Sequence, residues 1–218
     1  AQSAMQGSYF GIIPRDSIFF FPASHIRADI LAVHPDIAAV SISRNDLTSI
    51  SITTHDRVPI AQWCGSTLDP TRFDLTASST RLNLVGASDC YVFDASGYVY
   101  ATATTSTQTI NTFTLYAPLK GETSEPLRAS IAHANELPSV FDFARQLDTL
   151  GSPVARVVLR GDEVDDYLAS GTRITYVLGH ENNAFTALVS ARENMNLADG
   201  SLEYVDLRFD GKVYLKKK

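Results

Sequence analysis

The sequence predicts an α+β fold, in which a small module of one helix and a β-hairpin precedes a larger, mostly antiparallel β domain with flanking helices. Three observations lead to this prediction. Residues 34–62 alternate apolar and polar side chains in two short runs, which is typical of half-buried strands. Residues 91–100 contain a second alternating pair around a turn. Residues 136–150 have the spacing of an amphipathic helix.

The small module begins with a short helix. The segment His25–Val33 places several apolar side chains on one side, and Ser24 is the predicted N-cap residue. The helix is expected to end at His34-Pro35, because the residue before a proline is pushed out of the α region. Two strands then follow at residues 37–44 and 50–57, and a polar turn joins them into a hairpin.

The larger domain follows a connection at residues 65–89, which mixes glycine, serine, threonine, aspartate and proline. A hairpin is predicted at residues 91–100, with the turn Asp94–Gly97 at its tip. The helix at residues 136–150 is the most regular in the chain, and a second amphipathic helix is predicted at Ala184–Arg192. The remaining strand candidates are residues 112–116, 154–159, 167–168, 173–178 and 204–209.

Composition and charge limit the class of function. Of the 218 residues, 44% are hydrophobic, which is enough for a substantial core, and only 19% are charged. The net charge of −6 argues against a nucleic-acid partner, because binding phosphates requires a basic surface. No apolar run approaches the ~18 residues that span a bilayer. This profile suits a β-rich extracellular protein better than a helical cytosolic one.

The two cysteines of the chain, Cys64 and Cys90, each lie next to a strand-like segment. Three interpretations are open: a disulfide between them, two buried free thiols, or part of a metal site. A metal site needs more ligands than two distant cysteines supply. We favour the disulfide, which is worth roughly 3 kcal/mol for a loop of this length. It implies an oxidising, extracytoplasmic location.

No combination of residues predicts a catalytic or metal-binding site. The five histidines are scattered, and none occurs in paired or metal-ligand spacing. His55 and Asp56 are adjacent in a predicted strand and therefore point to opposite faces. The acidic cluster at residues 162–166 lacks the glycine and distal glutamate of an EF-hand, so a solvated loop is the favoured interpretation. We therefore expect neither an enzyme nor a bound cofactor.

Five blocks of the sequence resemble the FtsQ/DivIB cell-division family. Residues 35–61 carry the pattern P-x-I-x-x-V-x-I-x-R … R-x-P-I-A, which is similar to the C-terminal half of the POTRA domain in that family. Four blocks resemble its β domain and occur in the family order: CYVFDASGYVYA, QLDTLGSPVARVVL, SGTRITYVLGHENNAFTALVSA and EYVDLRFDGKVYLKKK. The resemblance divides the chain into a POTRA-like domain at residues 1–62, whose first strand lies in the first dozen residues or is missing, and an FtsQ-type β domain at residues 63–218.

The resemblance implies a function outside the cytoplasm. FtsQ-like proteins are non-catalytic scaffolds of the bacterial division complex, and a single membrane helix precedes their POTRA domain. They bind FtsB/DivIC-like and FtsL-like partners without a cofactor, and the strand after their DLR block takes up the FtsB/DivIC-like segment by strand addition. Carried onto this sequence, that edge strand runs through Phe209–Leu215. The implied contact residues are Arg208, Phe209, Asp210, Gly211, Lys212, Val213 and Tyr214.

Other interpretations stay open. Asp206 and Arg208 lie two residues apart in a predicted strand, so they form either a structural ion pair or part of a functional surface. One rival function is a POTRA-containing component of secretion or outer-membrane assembly, which usually carries tandem POTRA repeats and a barrel. Another is a surface hydrolase or wall-binding domain, which a pocket lined by histidine or aspartate would favour.

Overall fold

The computed structural model describes residues 6–9, 13–14, 21–46, 49–67, 90–104, 107–121 and 125–218. The chain divides into two compact units, residues 1–57 and residues 58–218. The boundary that the resemblance implies, between residues 62 and 63, falls elsewhere, because Ala61–Trp63 is a strand of the second unit's sheet. Most of the connection predicted at residues 65–89 lies outside the described residues.

The first unit contains one described helix, α1 (Ala23–Val33), and two antiparallel hairpins. A short hairpin pairs β1 (Ser8–Tyr9) with β2 (Ile13–Pro14). A longer one pairs β3 (Ile37–Arg44) with β4 (Ile50–Asp56), as the alternating pattern predicts. Within the described part of the unit no third strand pairs with β3 or β4.

Helix α1 packs against β3, where Ile26 and Val40 are buried and the Nε of Arg27 donates a hydrogen bond to Val40 O at 2.9 Å. The prediction that Ser24 caps the helix is wrong, because the helix begins at Ala23, two residues before the predicted start, and no side chain caps it. The predicted end at His34 is confirmed.

The second unit contains a nine-stranded sheet. Its strands are β5 (Ala61–Trp63), β6 (Tyr91–Phe93), β7 (Val99–Thr102), β8 (Thr114–Tyr116), β9 (Val154–Arg160), β10 (Glu163–Leu168), β11 (Arg173–Val177), β12 (Leu202–Asp206) and β13 (Tyr214–Lys217). Across the sheet the order is β13-β12-β11-β10-β9-β8-β5-β6-β7. Three pairings are parallel, β5 with β8, β8 with β9 and β11 with β12, and the others are antiparallel. The predicted mostly antiparallel sheet is therefore confirmed.

Two helices, α2 (Leu137–Asp148) and α3 (Glu181–Ala191), cover one face of this sheet, which we call the helix face. Both were predicted from their apolar spacing. Phe143 of α2 lies against Tyr176 of β11 with their ring centroids 4.4 Å apart, and Leu188 of α3 is fully buried. The core of the unit therefore lies between the sheet and these helices. Burial of each such side chain stabilises the fold by about 1.5–3 kcal/mol.

The predicted disulfide between Cys64 and Cys90 is present, with the two Cα atoms 4.4 Å apart. It joins the end of β5 to the start of β6 across a sequence separation of 26 residues. The bridge packs with Tyr116 and Val158, whose neighbours along each strand belong to the core. Because side chains alternate along a strand, this small cluster lies on the face opposite the helices, which we call the open face.

The expectation that residues 162–166 form a solvated loop is wrong. Residues 163–168 form β10, which pairs with β9 on one side and with β11 on the other. Asp165 and Asp166 are 2% and 0% exposed. The prediction failed because acidic residues disfavour strands locally, whereas pairing on both sides places this segment in the interior of the sheet.

Candidate partner-binding site

The last strand, β13, lies at one edge of the nine-stranded sheet, and β12 is its only neighbour in the described part of the chain. The backbone N–H of Lys218 donates to Ser201 O at 3.0 Å, towards the β12 side. Backbone groups alternate in direction along an antiparallel strand, so the N–H groups of Leu215 and Lys217 point away from β12. This edge therefore presents unpaired donors and acceptors that a further strand could use.

The segment that precedes β13 is a turn rather than part of the strand. Of the seven implied contact residues, Tyr214 alone lies in β13, and residues 208–213 connect it to β12. The expected extended strand from Phe209 onward is thus wrong. The N–H of Lys212 donates to Phe209 O at 3.0 Å, and Gly211 has a φ of +67° in open space. A left-handed glycine after an aspartate favours a turn over a strand.

Arg208 is held by carboxylates from two strands. Its Nε and Nη2 donate to the two carboxylate oxygens of Asp206 at 3.0 and 2.6 Å, and its Nη1 donates to Glu163 Oε1 at 2.6 Å. The hydrogen bonds with Arg208 lower the pKa of Asp206, and those with Asp206 and Glu163 raise the pKa of Arg208. Arg208 therefore forms the structural ion pair with Asp206. Glu163 could not be identified from sequence, because its approach to Arg208 depends on β10 and β12 both pairing with β11.

Two aromatic side chains flank the start of the edge strand. Phe209 and Tyr214 are 52% and 48% exposed, and their ring centroids lie 5.3 Å apart in an edge-on arrangement. The guanidinium of Arg208 lies 6.0 Å from the centre of the Phe209 ring. We call Phe209 and Tyr214 the aromatic pair. Exposed aromatic rings held in one orientation are typical anchors of protein–protein interfaces.

An open groove of about 530 Å³ lies between α3 and the connection before β13. The side chains on its α3 wall are small or polar, so a bound chain could approach the helix backbone closely. They are Asn183, Thr186, Ala187, Ser190 and Ala191. Asp210, Gly211 and Val213 form the other wall. The groove therefore continues from the implied contact segment towards α3.

Comparison with known proteins does not identify a function for this site. No protein-family model matches the chain, and no curated protein sequence matches it. In the described ranges no three His, Cys, Asp or Glu side chains cluster so that they could hold a metal ion. None of the helices in those ranges is long and apolar enough to cross a membrane. The open edge of β13 is therefore the feature from which a function is best argued.

Proposed function

We propose that this chain is a non-catalytic, extracytoplasmic scaffold of the bacterial division complex, of the FtsQ/DivIB type. It would bind an FtsB/DivIC-like partner by strand addition to β13 and hold an FtsL-like protein in the same assembly. The observation that carries the proposal is the terminal edge strand, whose outward N–H groups have no strand beside them among the described residues. Strand addition uses such an edge for affinity and nearby side-chain sites for specificity.

The sequence blocks that resemble this family coincide with structural elements of the second unit. CYVFDASGYVYA forms the β6–β7 hairpin, and QLDTLGSPVARVVL forms the end of α2 and nearly all of β9. SGTRITYVLGHENNAFTALVSA contains β11 and α3, and EYVDLRFDGKVYLKKK contains most of β12 and all of β13. Agreement of four blocks, in chain order, with helices and strands of one unit supports the proposal more strongly than any single block.

The disulfide and the resemblance both support a location outside the cytoplasm. A disulfide persists in an oxidising compartment, which supports a place outside the cytoplasm for Cys64 and Cys90. The proposal includes a single-pass membrane anchor beyond these residues and a POTRA-like role for the first unit in localisation near the membrane. It requires no cofactor. The partner segment would pair with β13, contact the aromatic pair with an apolar side chain, and continue into the groove beside α3.

Proline at Lys217 tests the strand addition. Lys217→Pro removes an outward N–H without removing a bond to β12, whereas Lys217→Ala removes the charge and keeps the N–H. We expect Lys217→Pro to weaken binding of an FtsB/DivIC-like peptide from the same genome by about tenfold or more, since one lost backbone bond and its misfit cost about 1–3 kcal/mol. Lys217→Ala should bind within about twofold of the unchanged protein. Isothermal titration calorimetry measures both.

The control for folding is the thermal midpoint of each variant, which should stay within a few degrees because Lys217 is exposed and its N–H points away from β12. Equal affinity of Lys217→Pro and Lys217→Ala would show that the edge of β13 is not the docking site. Failure of the unchanged protein to bind the peptide would remove the division-complex assignment itself.

A further inference from the structure

A row of alternating cations and tyrosines crosses the open face of the sheet. Five residues occupy directly paired positions on β9 to β13, one on each strand: Arg156, Tyr167, Arg173, Tyr204 and Lys216. We call them the basic-aromatic row. With strands about 4.8 Å apart, a cation recurs about every 10 Å across the sheet, with a tyrosine ring between successive cations.

The row lies on the open face, away from the helices. Val157 and Ile174, the next residues along β9 and β11, belong to the core beneath α2 and α3, so their neighbours Arg156 and Arg173 point to the other side. Lys216 is exposed, and the other four members are partly exposed. The row is therefore accessible along its length.

Two carboxylates near the row, those of Asp165 and Asp206, form hydrogen bonds with arginines outside it. Asp165 accepts hydrogen bonds from Arg160, and Asp206 accepts them from Arg208. These carboxylates occupy the adjacent row of paired positions on the same face. These adjacent acidic groups pair with arginines outside the row, whereas Lys216 within the row pairs with Glu203, so the positive character of the row rests mainly on Arg156 and Arg173.

Arg173 in the middle of the row has unused hydrogen-bonding capacity. Its buried Nε has no hydrogen-bond partner among the described residues, and its guanidinium carbon lies 5.7 Å from the centre of the Tyr204 ring. Lys216 approaches the same ring at 6.0 Å and is paired with Glu203 at 2.7 Å. A buried guanidinium nitrogen without a partner is costly. Arg173 as a whole is partly exposed, so its guanidinium can still pair with an anionic ligand on the open face.

The direction of the row selects the kind of ligand. A bound peptide gains most by running along a strand at a sheet edge, whereas this row runs across the strands, where no backbone pairing is possible. A linear polymer that relies on ring faces and charges suits it better. Single-stranded nucleic acid also uses aromatic rings and cations, but it binds in a dense basic groove that follows successive phosphates, whereas the cations of this row recur only about every 10 Å. The disulfide also favours an oxidising compartment outside the cytoplasm.

We propose that the basic-aromatic row binds an acidic polysaccharide, with sugar rings stacked on Tyr167 and Tyr204 and carboxylates paired with Arg156 and Arg173. The ring faces of tyrosine are electron-rich and attract the C–H groups of a sugar. A guanidinium pairs with a carboxylate through two parallel hydrogen bonds. This site is separate from the edge of β13, and it does not rest on the division-complex proposal.

The test uses polygalacturonate and hyaluronan oligosaccharides as probes, with neutral dextran as the matched control, in isothermal titration with the whole chain. We expect at least one acidic probe to bind and its affinity to fall with added salt. Arg173→Gln should weaken it about tenfold or more, Tyr204→Ala should weaken it as well, and Arg173→Lys should restore part of the affinity. Arg192→Gln, which removes an exposed cation at the end of α3, should leave it unchanged.

Several results would overturn the proposal. Absence of binding to both acidic probes would do so, as would equal affinity for dextran. A lower thermal midpoint of Arg173→Gln with unchanged affinity would show that the row only stabilises the sheet. Tighter binding of an oligothymidine than of either polysaccharide would identify a nucleic-acid platform instead. Each of these outcomes is independent of whether a division-protein peptide binds β13.

Discussion

Two adjacent carboxyl groups, on opposite faces of the nine-stranded sheet, have contrasting hydrogen-bonding environments. Asp165 points to the open face, where Arg160 Nε donates to it at 2.8 Å and Thr175 Oγ1 donates at 2.6 Å. Asp166, the next residue, points to the helix face, where both of its carboxyl oxygens are buried without a hydrogen-bond partner in the described residues. The hydroxyl of Tyr176 lies near it and acts to lower the pKa of Asp166, but burial has the larger, opposite effect.

The difference shows how the two faces are stabilised. The helix face gains from apolar burial, so a charge there is expensive. Burial raises the pKa of Asp166 well above its ordinary value, and the charges of Asp165 and Glu181 act in the same direction. The open face instead satisfies Asp165 and Asp206 with arginines, and it carries a small apolar cluster around the disulfide. Changes on the two faces should therefore have different costs and a different dependence on pH.

Truncating the core of the helix face should have the largest effect. Phe143→Ala should lower the free energy of unfolding by about 3–5 kcal/mol, because it leaves a cavity beside Tyr176. The matched control is Phe209→Ala, which removes a half-exposed ring beside the sheet edge and should change it by less than about 0.5 kcal/mol. Urea denaturation followed by circular dichroism measures both. Similar losses for the two variants would mean that the helix face is not the main core.

Breaking the disulfide should have the next largest effect, on the open face. Replacing Cys64 and Cys90 together by alanine opens the loop that the disulfide closes, across a sequence separation of 26 residues. In the chain-entropy model this should lower the free energy of unfolding by roughly 3 kcal/mol. Thiol titration of the denatured, unreduced protein checks the premise and should detect no free thiol. Detection of two thiols would remove both the stabilisation and the main support for an extracytoplasmic location.

The sequence predicted those elements that depend on patterns within one short segment of the chain. The β3–β4 hairpin and helix α2 were both predicted from apolar spacing, and the β6–β7 hairpin also from its turn residues. The pairing of Cys64 with Cys90 was predicted from their positions beside strands. In each of these cases the decisive interactions join residues close in sequence or follow from one pattern.

The sequence did not predict features that depend on which strands become neighbours. In β10, Val164 and Leu168 are core residues on the same face, as the alternation of a strand requires. Asp166 lies between them on that face, and because it is charged, the apolar alternation cannot be recognised in the sequence. The role of Glu163 as a partner of Arg208 requires knowing that β10 and β12 flank β11. The basic-aromatic row likewise exists only because strands from separate parts of the chain share one register. Such relations arise from tertiary pairing, which local propensity does not encode.

The comparison of Asp165 with Asp166 can be tested directly by replacing each with asparagine, and the two effects should have opposite signs at neutral pH. Asp165→Asn removes the charge that Arg160 and Thr175 bind and should cost about 1–2 kcal/mol, a value reduced by the exposure of Arg160. Asp166→Asn should stabilise the protein at neutral pH, because asparagine avoids the penalty that burial places on a carboxylate.

The pH dependence of Asp166→Asn distinguishes this explanation from a change in packing. The pKa of Asp166 is raised in the folded state, whereas an unfolded aspartate titrates near pH 3.9. Folded protein therefore holds a proton that the unfolded chain loses, so the contribution of Asp166 to stability is fully present below about pH 4 and is lost as the pH rises towards the folded pKa. The advantage of Asp166→Asn over the unchanged protein should thus be small at pH 3 and grow at higher pH. Urea denaturation at several pH values measures it, and an advantage that does not change with pH would show that Asp166 does not titrate differently on folding.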